Sequence, residues 1–143
     1  MGAGPAAWAD ELDAALRDAG TPERAAQEKA YLKSSIEHYG VSVPAGRTVA
    51  KRFAKAHPDL DHDDLCALVD ALWHVPVFER RRVAVELLEL HVDRLGPDDV
   101  PMLERLLRAS GTWALVDEIA PSVVGPLVVQ HPELGATLDR WAS

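Results

Sequence analysis

The sequence predicts an all-α fold, arranged as a right-handed solenoid of antiparallel helix pairs. Three observations predict it. No segment shows sustained strand alternation, whereas apolar residues recur at helical spacing along nearly the whole chain. Glycine or proline stands at each expected break in that spacing. The third is an internal register: Asp64, Leu65, Leu68 and Leu72 recur 35 residues later as Asp99, Val100, Leu103 and Leu107, and Phe78 falls on Trp113.

The first helix is expected over about 7–19, with Trp8, Leu12 and Leu16 on one face and Gly20 as its stop. Thr21-Pro22 opens a second, a capping residue followed by proline at the first helical position, running to about His38 before Gly40. A third lies between Pro44 and His57, ended by Pro58. Asp61, three residues before Asp64, starts a fourth with the stripe Leu65, Leu68, Val69 and Leu72, which Pro76 closes. The fifth runs from about Val77 to Leu95 with Val83, Leu87, Leu88 and Leu90 inward. The sixth starts near Asp98 and ends at Gly111. Trp113 opens a seventh, interrupted at Pro121 and Gly125-Pro126, and a last one covers about Pro132 to Trp141.

Each copy of the 35-residue register reads as acidic cap, apolar stripe, short turn and second helix. Two helices per period of this length are what HEAT-like repeats show. Such stacks expose a curved surface suited to long ligands. Residues 7–143 are expected to form this repeat domain, after a flexible N-terminus at 1–6.

With 143 residues, 48% of them apolar and 27% charged, the composition is that of one ordinary globular domain. No apolar run is long enough to span a bilayer, and the N-terminus lacks both a signal core and, with Ala6 where Ser or Thr is needed, a myristoylation signal. A cytoplasmic location without membrane attachment is expected. The single cysteine, Cys66, excludes an internal disulfide and reads best as a buried small hydrophobe.

The net charge of −8 argues against non-specific nucleic-acid binding by the whole surface. Its distribution is uneven. Residues 1–82 carry 11 Lys/Arg against 13 Asp/Glu, whereas 83–143 carry 4 against 10. A nucleic-acid site therefore belongs in the first part. Arg47, Lys51 and Lys55 recur every four residues with Arg52 beside them, a stripe that reads either as a solvated face or as a track for a phosphate backbone. Arg80-Arg81-Arg82 point in different directions and occupy a first helical turn, so paired surface charge is the expectation there.

Tyr31 is either a packing residue with its hydroxyl bonded or an exposed stacking platform, and it shares a helical face with Ser35. Trp113 and Asp117 lie four apart on one helix edge. They read either as a buried indole with a solvated acid, or as a pair able to hold a cationic ring and steady positive charge. His57 and His62 flank the acidic run 59–64, but no metal-binding spacing exists and no metal or cofactor is expected. No phosphate-binding glycine loop or nucleophile elbow is present. Trp73 and Trp141 read as core or inter-repeat anchors.

Taken in order, Tyr31-Leu32-Lys33-Ser34-Ser35, Tyr39-Gly40, Leu72-Trp73, Thr112-Trp113, Val116-Asp117, Val123-Val124-Gly125 and Asp139-Arg140-Trp141-Ala142 resemble the AlkD-type DNA alkylation repair family. The resemblance implies a HEAT-like DNA glycosylase that removes 7-alkylguanine and 3-alkyladenine from duplex DNA. It implies Asp117 as the catalytic carboxylate and Trp113 and Tyr31 as aromatic contacts to the damaged nucleotide. It implies Arg47, Lys51, Arg52 and Lys55 as backbone clamps, with no cofactor. Ala114 stands where that family often has an acid. The family's domain also runs on through further helices, so the chain is expected to be its N-terminal portion, lacking the C-terminal repeats, with an open end free to meet a second copy. A non-catalytic helical-repeat module that binds DNA or a protein is the alternative.

Overall fold

Short polar side chains and prolines set where the helices begin. The structure, a computed structural model, describes residues 4–108, 123 and 125–134. Within them α1 spans Pro5–Ala19, α2 Pro22–Leu32, α3 Val43–Ala56, α4 His62–His74, α5 Phe78–Leu90, α6 Val100–Arg108 and α7 Gly125–Gln130. Proline occupies the first turn of α1, α2 and α3. The side chains of Thr21, Ser42 and Asp61 accept hydrogen bonds from the backbone N–H three residues on, at 3.3, 3.3 and 2.8 Å. Single 3₁₀ turns cover Val92–Arg94, Pro97–Asp99 and Pro132–Leu134.

Two helices are shorter than their apolar spacing suggests. α2 stops at Leu32, where Lys33 turns left-handed at φ 50°. Beyond it Ser34 Oγ accepts from Ile36 N–H at 3.2 Å, a local bond that competes with a further helical turn. The chain then runs extended. Ser34, Ile36, His38 and Gly40 are buried while Lys33, Ser35 and Glu37 are exposed. This period of two was overlooked in a stretch of helix-like composition, and it separates Tyr31 from Ser35. Glu37 forms an isolated parallel bridge with Val77. α5 ends at Leu90 rather than Leu95 because His91 Nδ1–H donates to the Leu87 carbonyl at 2.7 Å, after which the chain tightens into the 3₁₀ turn. Leu90, expected inward, is 45% exposed. The expected helix over Pro132–Trp141 begins as a 3₁₀ turn, and its later residues lie outside those described.

Helix packing pairs α1 with α3 and α4 with α5, then stacks α1 on α4 and α3 on α5. The two copies of the expected register are capped differently at their helix starts. Asp61 caps α4 three residues before Asp64, and Asp99 reaches back to the Gly96 N–H at 2.8 Å before α6. Leu65, Leu68, Leu72, Leu103 and Leu106 are all fully buried. The expected right-handed continuation runs through residues outside those described.

α5 is the centre of the stack, with every residue from Phe78 to Leu88 buried. That includes Arg80, Arg81 and Arg82, so the expectation of surface pairing is overturned. The reason lies in the end of α4. Its last turn leaves carbonyls without intrahelical donors. Arg80 donates to the Leu72 and Ala71 carbonyls at 3.2 and 3.0 Å, and Arg81 to Trp73 at 3.2 and 3.1 Å. Arg81 also lies over the Trp73 ring, 5.5 Å from its centroid.

Glu79, only 2% exposed, fastens the extended segment to α5. One carboxylate oxygen accepts from Tyr39 N–H at 2.8 Å, and the other from Gly40 and Val41 N–H at 2.9 and 3.0 Å. Gly40 has φ +80°, and a Cβ there would stand 2.1 Å from the Thr21 carbonyl. Only glycine fits this crossing.

Replacing Glu79 by alanine would orphan three backbone donors. Glu79→Ala is expected to lose about 3–5 kcal/mol of stability in urea unfolding. Glu37→Ala, at an exposed side chain of the extended segment, is expected to stay within about 0.5 kcal/mol.

Candidate nucleic-acid interface

The site is built where α2 leaves the body of the stack. α2 has no buried residue. It is tied down by Leu32, partly buried against the core, and by polar contacts: Thr21 N–H donates to the Gly40 carbonyl at 3.1 Å, and buried His38 donates from Nδ1 to Glu28 at 3.0 Å. The His38 ring stacks on Phe78 with centroids 4.6 Å apart. Between α2, the start of α3 and the start of α5 lies an open cleft of about 590 Å³, lined among others by Arg24, Glu28, Tyr31, Val43, Phe78 and Arg82.

Tyr31 stands at this cleft in the last turn of α2 and is 86% exposed. Of the two readings of its ring, packing is excluded and the exposed face remains. Val43, also at the cleft, begins the row that continues along α3 as Arg47, Lys51 and Lys55. All three cations are exposed. The opposite side of α3 packs inward through Gly46, Ala50 and Phe53. The row thus extends about 18 Å from the cleft at 1.5 Å per helical residue. None of the three forms an ion pair with a described residue. Arg52 does not share this edge. It lines a groove between α1 and α3 alongside Glu11 and Asp18. Trp113 and Asp117 lie outside the described residues.

The loop that orients α2 is held from below by a charged cluster. Asp13 accepts from Tyr39 Oη at 2.7 Å and Arg17 Nε at 2.7 Å, and pairs with Arg80 at 3.1 Å. Burial alone raises the Asp13 pKa, but the hydrogen bonds from Tyr39, Arg17 and Arg80 outweigh it and hold the carboxyl below its usual 3.8. Burial and the Asp13 hydrogen bond push the Tyr39 phenol up to about 12.

A second polar cluster joins the start of α4 to the turn before α6. His62 Nε2–H donates to Asp99 Oδ1 at 2.7 Å, with Cys66 Sγ 3.6 Å from that nitrogen and 3.9 Å from that oxygen. His62 Nδ1 faces Asp63 at 3.3 Å. Hydrogen bonding to Asp99 and Asp63 raises the His62 pKa. Burial, reinforced by Asp99 and Asp63, pushes the Cys66 thiol up to about 11. Cys66 is therefore half-buried beside polar groups rather than sealed in the core, and it is a poor nucleophile. His57 belongs to neither cluster. It packs against Trp8 and Phe53, with ring centroids 5.5 and 4.2 Å away.

Sequence spacing showed the α3 row and Tyr31 but missed Glu79 and the Cys66 cluster. The alternation over 34–40 was the available sign of an extended segment needing a backbone acceptor. Nothing in local spacing links Asp99 to residues 33 and 37 positions earlier.

A family model described as DNA alkylation repair enzyme matches residues 12–143. No curated protein matches the chain. Among the described residues no helix is long and apolar enough to cross a membrane.

Two outcomes check this geometry. Tyr31→Ala removes a ring that is 86% exposed, so its stability in urea unfolding is expected to change by no more than about 0.5 kcal/mol. Asp13, with its folded pKa depressed, contributes stability above its unfolded value near 3.8 and loses it as pH falls through the lower folded value. Asp13→Asn is therefore expected to be less stable than wild type at pH 6. The difference should shrink below pH 3.8 in unfolding curves measured across that range.

Proposed function

The chain belongs to the DNA alkylation repair enzyme family, and we propose that its reaction is the hydrolytic release of cationic N7-alkylguanine or N3-alkyladenine from duplex DNA. The observation that carries this reading is the tyrosine ring held open at a cleft from which a row of three cations, paired with none of the described residues, leads away along α3. A duplex backbone suits the cations, and a displaced or exposed nucleotide suits the ring.

The chemistry fits a carboxylate and aromatic faces. Alkylation already places positive charge on the base, so cleavage of the bond from C1′ to the base nitrogen sends the electron pair into the ring and neutralises it. No proton need be delivered to the leaving group. Positive charge then builds on the deoxyribose, and Asp117 is the group proposed to stabilise it and to orient the water that adds to C1′. A preorganised charge of this kind is worth about 3–4 kcal/mol. Trp113 and Tyr31 are proposed to hold the sugar and the cationic base through their ring faces. Arg47, Lys51 and Lys55 are proposed to grip phosphates, with Arg52 reaching the backbone from the neighbouring groove.

One observation favours a second reading, a helical-repeat module that binds without catalysing. Residues 83–143 carry 10 acidic against 4 basic residues, which opposes a duplex wrapped by the whole surface.

Release of 7-methylguanine from methylated duplex decides between them. Asp117→Asn is expected to slow release by about 10²–10³-fold while leaving affinity for undamaged duplex unchanged. Equal release by wild type and variant would exclude catalysis by this chain. Lys51→Glu is expected to weaken duplex binding and to reduce the salt dependence of log K by about one phosphate contact. Duplex binding lost in Lys51→Glu, together with no release by wild type, would establish the binding module instead.

A further inference from the structure

We infer that His62, Cys66 and Asp99 form a binding site for a divalent transition-metal ion of the zinc class, tying the start of α4 to the turn before α6. The three offer one nitrogen, one sulfur and one oxygen, and these atoms lie within 4.8 Å of one another. Bond lengths of about 2.3 Å to sulfur and 2.0–2.2 Å to nitrogen and oxygen place tetrahedral ligand atoms roughly 3.4–3.6 Å apart. The sulfur–nitrogen separation is 3.6 Å and the sulfur–oxygen separation 3.9 Å, close to that spacing. The nitrogen–oxygen pair, at 2.7 Å, is drawn together by its hydrogen bond and would open by several tenths of an ångström as the proton leaves.

The Cys66 thiol and the Asp99 carboxylate both converge on Nε2, as ligands converge on an ion. The other nitrogen, Nδ1, faces the Asp63 carboxylate, the outer contact that orients metal-binding imidazoles and strengthens their donation. Asp99 is oriented in the same way, its second oxygen accepting from Gly96 N–H at 2.8 Å. On binding, the thiol proton and the imidazole Nε2 proton pass to solvent. The His62 side chain is 44% exposed, which leaves an access route and room for water as the fourth ligand.

The site stands independently of the glycosylase reading. Cobalt(II) titrated into the full chain is expected to give thiolate-to-metal charge transfer in the near ultraviolet that saturates at one equivalent. Zinc(II) should abolish it stoichiometrically and protect Cys66 from alkylation by iodoacetamide. Cys66→Ser should eliminate the charge-transfer band with the far-ultraviolet circular dichroism unchanged. His62→Ala should weaken binding at least tenfold, and Asp63→Asn, which removes the carboxylate facing Nδ1, by about tenfold. A Cys66 alkylation rate indifferent to zinc, or zinc binding undiminished in both Cys66→Ser and His62→Ala, would overturn the assignment.

Discussion

The carboxylate of Glu79 accepting three consecutive backbone N–H groups is the contact on which the remaining geometry depends. A buried acid without donors is prohibitively costly, and a buried run of peptide N–H groups without acceptors is equally so. Each satisfies the other. The consequence spreads outward from residues 39–41. Tyr39 is placed to meet Asp13, Gly40 to meet Thr21 at the start of α2, and Val41 to lead directly into the Ser42 cap of α3. The angle at which α2 leaves the stack, and hence the position of Tyr31, follows from one side chain in the first turn of α5.

That same first turn is crowded with cations, which the dipole of α5 disfavours. The unfavourable end of one helix is offset by the unfavourable end of another. Carbonyls of the last turn of α4 receive the guanidinium groups of Arg80 and Arg81, and Asp13 of α1 completes the neutralisation of Arg80. Three helices are locked in register by groups that would destabilise each helix alone. Ions buried in this way contribute specificity of arrangement more than net stability.

What could be read in the sequence was local. Caps at Thr21 and Asp61, prolines at Pro22 and Pro44, and the stripe Leu65, Leu68, Leu72 all express interactions within four residues, and they placed α1 to α4 closely at their starts. The end of α2 was misjudged because helix-forming residues continue to His38, whereas the Ser34–Ile36 bond and tertiary contacts to Val77 and Glu79 hold that stretch extended. The burial of Arg80 and Arg81 was misjudged for the same reason, since the carbonyls they reach belong to the preceding helix. For the candidate site, the spacing of Arg47, Lys51 and Lys55 was sufficient to place one edge of α3. The setting of Tyr31 was not legible, because it hangs on Glu79, 48 positions away.

α2 buries no residue fully: Leu32 is partly buried against the core, and polar ties at Thr21 and Glu28 fasten the rest, whereas the layers beneath share a continuous apolar interior. An element with so little apolar anchorage exchanges its amides by local opening before the whole domain unfolds.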